Sequence, residues 1–576
     1  MAIPPSESSM EPRPWHAHYD AGVPAALADD GLLLHQLLER TIQDHGDRVA
    51  LRFAMTSLTW RELGQRVDRL ATALVGLGVT PGTAVGVQLP NLPQTVISVL
   101  ATLRCGGRVV MTNPLYTAHE IEHQWNDAGC AVAVTTDFLW DRTIRELAPR
   151  LPSLKHTIVA SIPEALPWPV SWLARFKLRR QDPPLSASFR TGPNVHAFGA
   201  LVDKTAPAPP QVEVSPDDPA AIQYTGGTTG VSKGAVLTHR NLSRNLQQVE
   251  AWIAPLGAGP QVVLGALPFF HVFGLSVTLL LSVRMGSTLV LVPNPRDVPG
   301  IIGLVERHKI SVLPAVPAML DSISNRPGIE RHDLSSVAGV FSGSAPLTED
   351  SKRRFEALTG ASIFEGYGLT ETSPVTHVNP VKGENRIGTV GLPVSDTDAR
   401  IVDPEDASKV MAPGETGELL LSGPQVMAGY WNRPDETAQV LKDGWFFTGD
   451  LAVMDDEGWF RIVGRKKDMI ICSGYNVYPD EIDRVLSDHP EVAEACTIGV
   501  PDERRGETVK AFVVRTPGSS VDAEALDAHC RERLAAYKVP RAVEFRDELP
   551  RSALMKLLRR TLRDEEIAKQ EAAGGA

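Results

Sequence analysis

Tyr224-Thr225-Gly226-Gly227-Thr228-Thr229-Gly230-Val231-Ser232-Lys233-Gly234 is the stretch on which the reading of this chain turns. The ten positions from Tyr224 to Lys233 hold three glycines, three threonines and one lysine. Backbone N–H groups approach a phosphate closely where there is no Cβ, and threonine hydroxyls donate to phosphate oxygens. The composition therefore suits a polyphosphate. It is not the Gly-Lys-Ser/Thr pattern of a Walker A loop, because Lys233 lies between Ser232 and Gly234. Ala220 to Tyr224 and Ala235 to Thr238 both read as strand, so the loop joins two strands instead of opening a helix.

Upstream, strand and helix patterns alternate. Thr59-Trp60-Arg61-Glu62 has the form of a capping box. Leu63, Val67, Leu70, Leu74 and Leu77 follow on one helical face, and Gly78 with Pro81-Gly82 stops them. Ala84 to Leu89 reads as a buried strand, Thr117-Ala118-His119-Glu120 as a second capping signal, and Ala131 to Thr135 as the next strand. This alternation predicts α/β architecture with doubly wound parallel sheets. Trp168 to Arg180 then carries Arg175, Lys177, Arg179 and Arg180 without an acid, interleaved with Trp168, Trp172, Leu173 and Phe176. Such a segment suits a peripheral membrane contact, a lid or a packed insert. Proline-rich Ala206 to Pro219 reads as a surface connection. After about residue 464 short strands mix with two helices, one from Pro479 and one from Asp522 to Ala536, predicting a small α+β unit.

Composition sets outer limits. The chain has 576 residues and a net charge of -12, which argues against sequence-independent nucleic-acid binding. The best candidate for a span, Phe273 to Val283, is too short to cross a bilayer, ends at Arg284 and reads as a buried helix. Met1 to Trp15 has early Glu and Arg and several prolines, so it is not read as a secretory signal. The five cysteines are scattered and form no CxxC pair. Buried thiols in a reducing cytoplasm are expected, and metal binding by cysteine is not.

Further motifs follow the loop in order: Phe341-Ser342-Gly343-Ser344-Ala345-Pro346, Glu365-Gly366-Tyr367-Gly368-Leu369-Thr370-Glu371-Thr372, Thr448-Gly449-Asp450 and Gly464-Arg465-Lys466-Lys467-Asp468. Together with the loop they resemble the adenylate-forming superfamily, from about residue 30 to 565, and the loop resembles most the long-chain fatty acyl-CoA ligases. The resemblance implies a large N-terminal domain over 30–464, with doubly wound subdomains and a small β-barrel, and a small mobile α+β domain over 465–570. It implies ATP, Mg2+ and coenzyme A as cofactors. Thr225, Gly226, Gly227, Thr228, Thr229, Gly230 and Lys233 would bind the phosphates of ATP. Gly343, Ser344, Ala345, Glu365, Gly366, Tyr367, Gly368 and Thr370 would surround adenine and acyl groups, with the Tyr367 ring offering a stacking face. Asp450 accepts and Arg465 donates, which suits both to the ribose hydroxyls. Glu371 and Thr228 offer hard oxygens suited to Mg2+.

On the acyl side, Pro268-Phe269-Phe270-His271-Val272-Phe273-Gly274-Leu275 has no acid to pair an α-amino group, whereas amino-acid adenylating relatives usually place an Asp in this region. An apolar tunnel suffices for a fatty acid. His271 resembles the family's aromatic beside the thioester site. Leu275 stands where some long-chain members have a Trp. Leu549 to Arg560 resembles the segment that carries the catalytic lysine, which assigns that role to Lys556, although Met555 replaces the usual glycine. Lys467 is the implied hinge, and Gly474, Tyr475 and Asn476 are the implied contacts to coenzyme A. The expected reaction converts a long-chain fatty acid to acyl-adenylate and then to acyl-CoA. Two rivals stay open: a fatty acyl-AMP ligase that loads a carrier protein, and a catalytically impaired lipid- or nucleotide-binding relative. The expected setting is cytoplasmic, with membrane association and a homodimer left open.

Overall fold

The computed structural model describes residues 13–225, 232–257, 259–472, 475–502, 506–552 and 557–574. Gly226 to Gly230, Gly474 and Lys556 lie outside the described residues. Both capping signals close as the residue types dictate. The Thr59 hydroxyl accepts from the Glu62 N–H at 3.2 Å, and the Glu62 carboxylate accepts from the Thr59 N–H at 2.8 Å. The helix Trp60–Gly76 then buries Leu63, Val67, Leu70 and Leu74 completely. Thr117 and Glu120 repeat the exchange ahead of the helix Ala118–Ala128.

Among the described residues the strands form four sheets. One runs in the order Gly429–Tyr430, Lys233–Thr238, Pro219–Thr225, Arg108–Met111, Ala84–Gln88, Val132–Thr136, His156–Ala160 and Val195–Ala197. It is parallel from Pro219–Thr225 onward, and Lys233–Thr238 pairs antiparallel with Pro219–Thr225. The decisive loop therefore joins the two strands of a hairpin, as its flanks predict. A second sheet aligns Val49–Phe53, Thr288–Leu291, Val262–Gly265, Val312–Ala315, Gly339–Ser342 and Ser362–Gly368 in parallel. A five-stranded antiparallel sheet that includes Trp445–Met454 and Phe460–Arg465 stands where the resemblance implies a small barrel.

The last sheet lies in the small unit: Tyr475–Val477, Ile470–Cys472, Gly506–Arg515 and Val492–Asp502, with Ala542–Phe545 beside Gly506–Arg515. Its hydrophobic core begins at Ile470 and is separate from the core that ends at Phe460 and Ile462. The first predicted helix is Pro479–Ser487. The second is shorter than expected, Ala523–Arg531, because the chain turns after Arg531 on its way to Pro540. Phe273 to Val283 is helical and buried throughout, as its apolar run requires. No helix among the described residues is long and apolar enough to cross a membrane.

Candidate active site

A cleft of about 2460 Å³ opens where the carboxyl ends of the parallel strands meet the antiparallel sheet and the small unit. Crevices beyond strand carboxyl ends are the usual place for a ligand in open α/β sheets. The hairpin register sets Thr225 opposite Lys233 at the cleft edge. The short strand Gly429–Tyr430 adds to the same hairpin and sets Tyr430 opposite Ala235. Lys233 Nζ lies 5.3 Å from the centroid of the Tyr430 ring, and the Tyr430 hydroxyl donates to Glu371 Oε1 at 2.8 Å. Burial and the neighbouring Glu371 carboxylate push the Tyr430 phenol far above its usual range, so it stays a donor. Sequence reasoning missed Tyr430. Its only signal is a Gly-Tyr-Trp run that reads as an ordinary turn.

Asp450 and Arg465 come from paired strands and face each other in register. Arg465 Nε meets Asp450 Oδ1 at 2.9 Å, while the Tyr367 hydroxyl donates to Asp450 Oδ2 at 2.6 Å. Both carboxylate oxygens of this buried residue are thus aimed. Burial, with the Asp450 charge, holds the Tyr367 phenol well above its ordinary value. The Tyr367 ring edges against His377 with centroids 5.9 Å apart.

The segment after Gly339–Ser342 turns over the end of the neighbouring strand Ser362–Gly368, with Ser342 paired to Glu365. Glu365 is buried and accepts from the Leu347 N–H at 3.2 Å, so its carboxyl secures this turn from behind. Ser344 at the tip has φ 72°, a left-handed conformation uncommon for a residue with a Cβ. A Cβ on Gly368 would collide with the Pro374 carbonyl, so the strand end passes only as glycine. Burial pushes the Glu365 carboxyl up to about 8, opposed by the Leu347 N–H and Lys352. Above the ordinary carboxylate range the folded protein therefore holds a proton that the unfolded chain has released. Stability conferred at acid pH is lost as pH rises toward 8. Glu365→Gln is expected to raise the melting temperature by a few degrees at alkaline pH and to change little at acid pH. Equal melting shifts at both pH values would show that the carboxyl does not change its protonation between them.

His271 and Phe273 border the cleft with Phe341. The wall they belong to is fastened from the first sheet: Asn91 Nδ2 donates to the carbonyls of Gly265 and Leu267 at 2.9 and 2.8 Å, and its oxygen accepts from Phe269 N–H at 3.0 Å. Phe341 also borders a small interior cavity of about 20 Å³ lined by Val249, Ile253, Val263, Val277 and Leu281, with no charged side chain in its lining.

On the small-unit side, Lys466 binds Glu418 at 3.3 Å and leaves Lys467 exposed in the turn Lys466–Asp468. Arg551 and Leu557 pair in a bridge, and Leu558 N–H donates to Pro550 O at 2.9 Å. Arg559 forms a clamp nearby. It ion-pairs with both Asp480 and Asp483 and donates to Thr497 O at 3.2 Å. The two acids stand on one face of the helix Pro479–Ser487, three residues apart. Sequence reasoning missed this clamp too, because its members are far apart in the chain.

The structure thus brings together Lys233, Glu371, Tyr367, Asp450, Arg465, Glu365, Gly343, Ser344, Ala345 and His271 around one cleft. A cleft of this make-up suits a nucleotide-dependent ligase, the class to which its relatives in sequence and fold belong. The pattern of the AMP-binding enzyme family matches residues 38–431, and that of the AMP-binding enzyme C-terminal domain matches 481–556. The chain belongs to the AMP-binding enzyme family. It is 41% identical over 561 residues to the long-chain-fatty-acid–CoA ligase of Bacillus subtilis (strain 168), covering 96% of this chain and 98% of that one. Its fold matches ATP-bound MatB from Rhodopseudomonas palustris with a TM-score of 0.80, 30% identity, and 93% and 99% of the two chains covered. It also matches the anthranilate CoA ligase AuaEII in complex with anthranoyl-AMP, with a TM-score of 0.83, 26% identity, and 96% and 100% covered.

Proposed function

We propose that the protein activates long-chain fatty acids to acyl-CoA in two steps. The fatty carboxylate attacks the α-phosphate of ATP, an oxygen–phosphorus bond forms, and pyrophosphate leaves with the broken bond. The thiol of coenzyme A then attacks the acyl carbon, AMP leaves, and the thiol proton is released. The observation that carries the fatty-acyl reading is the likeness to a long-chain-fatty-acid–CoA ligase over 96% of this chain, and it is supported by a cleft wall at Phe270 to Phe273 that has no acid to pair an amino group.

The first step brings two anions together, at a cost of ~4 kcal/mol per unit pair at ~4 Å and an effective dielectric of about 20. Lys233 and Lys556 are assigned to offset that cost, the first from the hairpin and the second from the small unit. Glu371 accepts from Tyr430 through Oε1 and offers its second carboxylate oxygen as a hard donor suited to Mg2+. With Thr228 it would hold the ion, which when bound neutralises phosphate charge. Asp450 and Arg465 grip the ribose, and Tyr367 both aims Asp450 and faces the base. The small unit is read as turning about Lys467 between the steps, bringing Gly474, Tyr475 and Asn476 toward coenzyme A. A domain boundary near 464/465 agrees with the separate cores. All five cysteines are buried and unpaired, which fits the reducing cytoplasm. A substrate dissolved in membranes gives a purpose to peripheral membrane contact.

Purified protein with MgATP, coenzyme A and a ladder of carboxylic acids tests the reading, with AMP and acyl thioester as readouts. AMP release is expected to require both coenzyme A and a long-chain fatty acid. Better turnover of aryl or amino acids would overturn the substrate class. Acyl-AMP that accumulates under saturating coenzyme A would favour transfer to a carrier protein.

A further inference from the structure

The helix Val170–Arg179 docks on the protein in an unusual sense. Val170, Ser171, Ala174 and Leu178 form its half-covered side, and no residue of the helix is fully buried. Its largest apolar groups point the other way. Trp168 is 84% exposed, Trp172 65%, Leu173 55% and Phe176 51%. Trp172 and Phe176, four residues apart, stack with ring centroids 6.4 Å apart, so the aromatic side is ordered while it faces water. Neither a lid nor a packed insert accounts for that orientation, since either would turn these rings inward.

A second element adds to the same surface. The Thr56 hydroxyl donates to Ala165 O at 2.8 Å, three residues before Trp168. This bond ties the tip of the hairpin between Val49–Phe53 and Thr56–Thr59 to the approach of the helix. Met55 at that tip is 72% exposed. Cations border the apolar groups. Arg180 lies 3.8 Å from the Phe176 ring centroid, Arg179 reaches Ser188 at 2.6 Å, and Arg175 and Lys177 are exposed. No acid occurs from Trp168 to Gln181, in a chain whose net charge is -12. The basic character is therefore local.

We propose that this two-part surface, the helix 170–179 with the hairpin tip at Met55, docks on an anionic phospholipid membrane. The aromatic and methionine side chains enter the headgroup boundary, and the four cations meet lipid phosphates. The proposal rests on the fatty-acid reading for its purpose, because the substrate partitions into the same bilayer. Four cations beside exposed aromatic rings complement the anionic headgroups and the apolar boundary of one bilayer surface together, and a second copy of the chain is the rival occupant that the oligomeric state tests.

Sedimentation of the full-length protein with vesicles tests it, using phosphatidylcholine alone and with about a third phosphatidylglycerol, at low and high salt. Wild type is expected to co-sediment with the anionic vesicles and to leave them as salt rises. The variant R175S/K177S/R179S/R180S should lose about a hundredfold or more in partitioning, since each cation near the surface counts for roughly fivefold. W168S/W172S/F176S should lose binding to the anionic vesicles at low salt, and Met55→Ser should weaken it by about threefold. All these positions are exposed, so unchanged melting is expected and is measured alongside. Wild type left in the supernatant, or variants that bind as wild type, would overturn the proposal. So would a wild-type oligomer that the aromatic variant dissolves while neither binds vesicles. Acyl-CoA formation from fatty acid monomers in solution should be equal in wild type and variants, whereas delivery from anionic vesicles should slow in the variants. If wild type forms no acyl-CoA from either source, the functional reading fails on that assay, and the surface proposal still stands or falls on sedimentation alone.

Discussion

Lys556→Ala is expected to slow acyl-adenylate formation by ~10²–10³, while thioester formation from supplied acyl-adenylate stays within about tenfold of wild type. A lysine that neutralises charge only while carboxylate meets α-phosphate stabilises one transition state and not the other. The loss corresponds to about 3–4 kcal/mol, the usual cost of removing one preorganised charge partner. The described residues on either side of this segment are tied down. Arg551 bridges Leu557, and Arg559 is held by Asp480 and Asp483. Met555→Gly is the companion variant, because it restores the residue usual at that position. Rapid-quench measurement of each half-reaction decides the matter. Adenylation near wild type in Lys556→Ala would remove this lysine from the chemistry. An equal fall in both half-reactions, with a lower melting temperature, would point to damage in the small unit.

Asp450→Ala is expected to reduce kcat/KM for ATP by ~10²–10³. The proposed ribose role would give Asp450 two charge-assisted hydrogen bonds, at about 1.5–3 kcal/mol each, and their loss is of that size. The carboxylate is aimed from both sides, by Arg465 at 2.9 Å and by the Tyr367 hydroxyl at 2.6 Å. Tyr367→Phe keeps the stacking ring and removes only the aiming bond, so a smaller fall of about tenfold is expected. The ordering of the two variants is the informative outcome. If Tyr367→Phe costs as much as Asp450→Ala, the hydroxyl itself touches the nucleotide. If Asp450→Ala leaves the KM for ATP unchanged, the Asp450–Arg465 pair is a structural tie between two strands.

Much of this protein was legible in one dimension. Capping boxes at Thr59 and Thr117 work because their partners lie three residues away, within reach of any helix start. Period and apolar runs located the strands Ala84–Gln88 and Val132–Thr136 and the buried helix at Phe273, since burial on both faces demands continuous apolar sequence. The glycine- and threonine-rich hairpin loop and the ordered motifs after it named the residues around the cleft.

Tertiary structure alone decided the relations between residues distant in the chain. Tyr430 reaches Glu371 and Lys233 only because a two-residue edge strand pairs onto the hairpin. Glu365 acquires its raised carboxyl value from burial beneath Leu347, and burial is a property of packing, not of spacing. Asp480, Asp483 and Arg559 form a clamp across more than seventy residues of chain. The helix at Val170 shows the division most plainly. Its sequence is amphipathic in composition but not in pattern, and only docking through the side of Ala174 and Leu178 turned Trp172 and Phe176 outward. Local sequence sets which elements form, because backbone hydrogen bonds and side-chain periodicity act over a few residues. Which side chains are dry, aimed or left facing water depends on surfaces that meet only when the whole chain has packed.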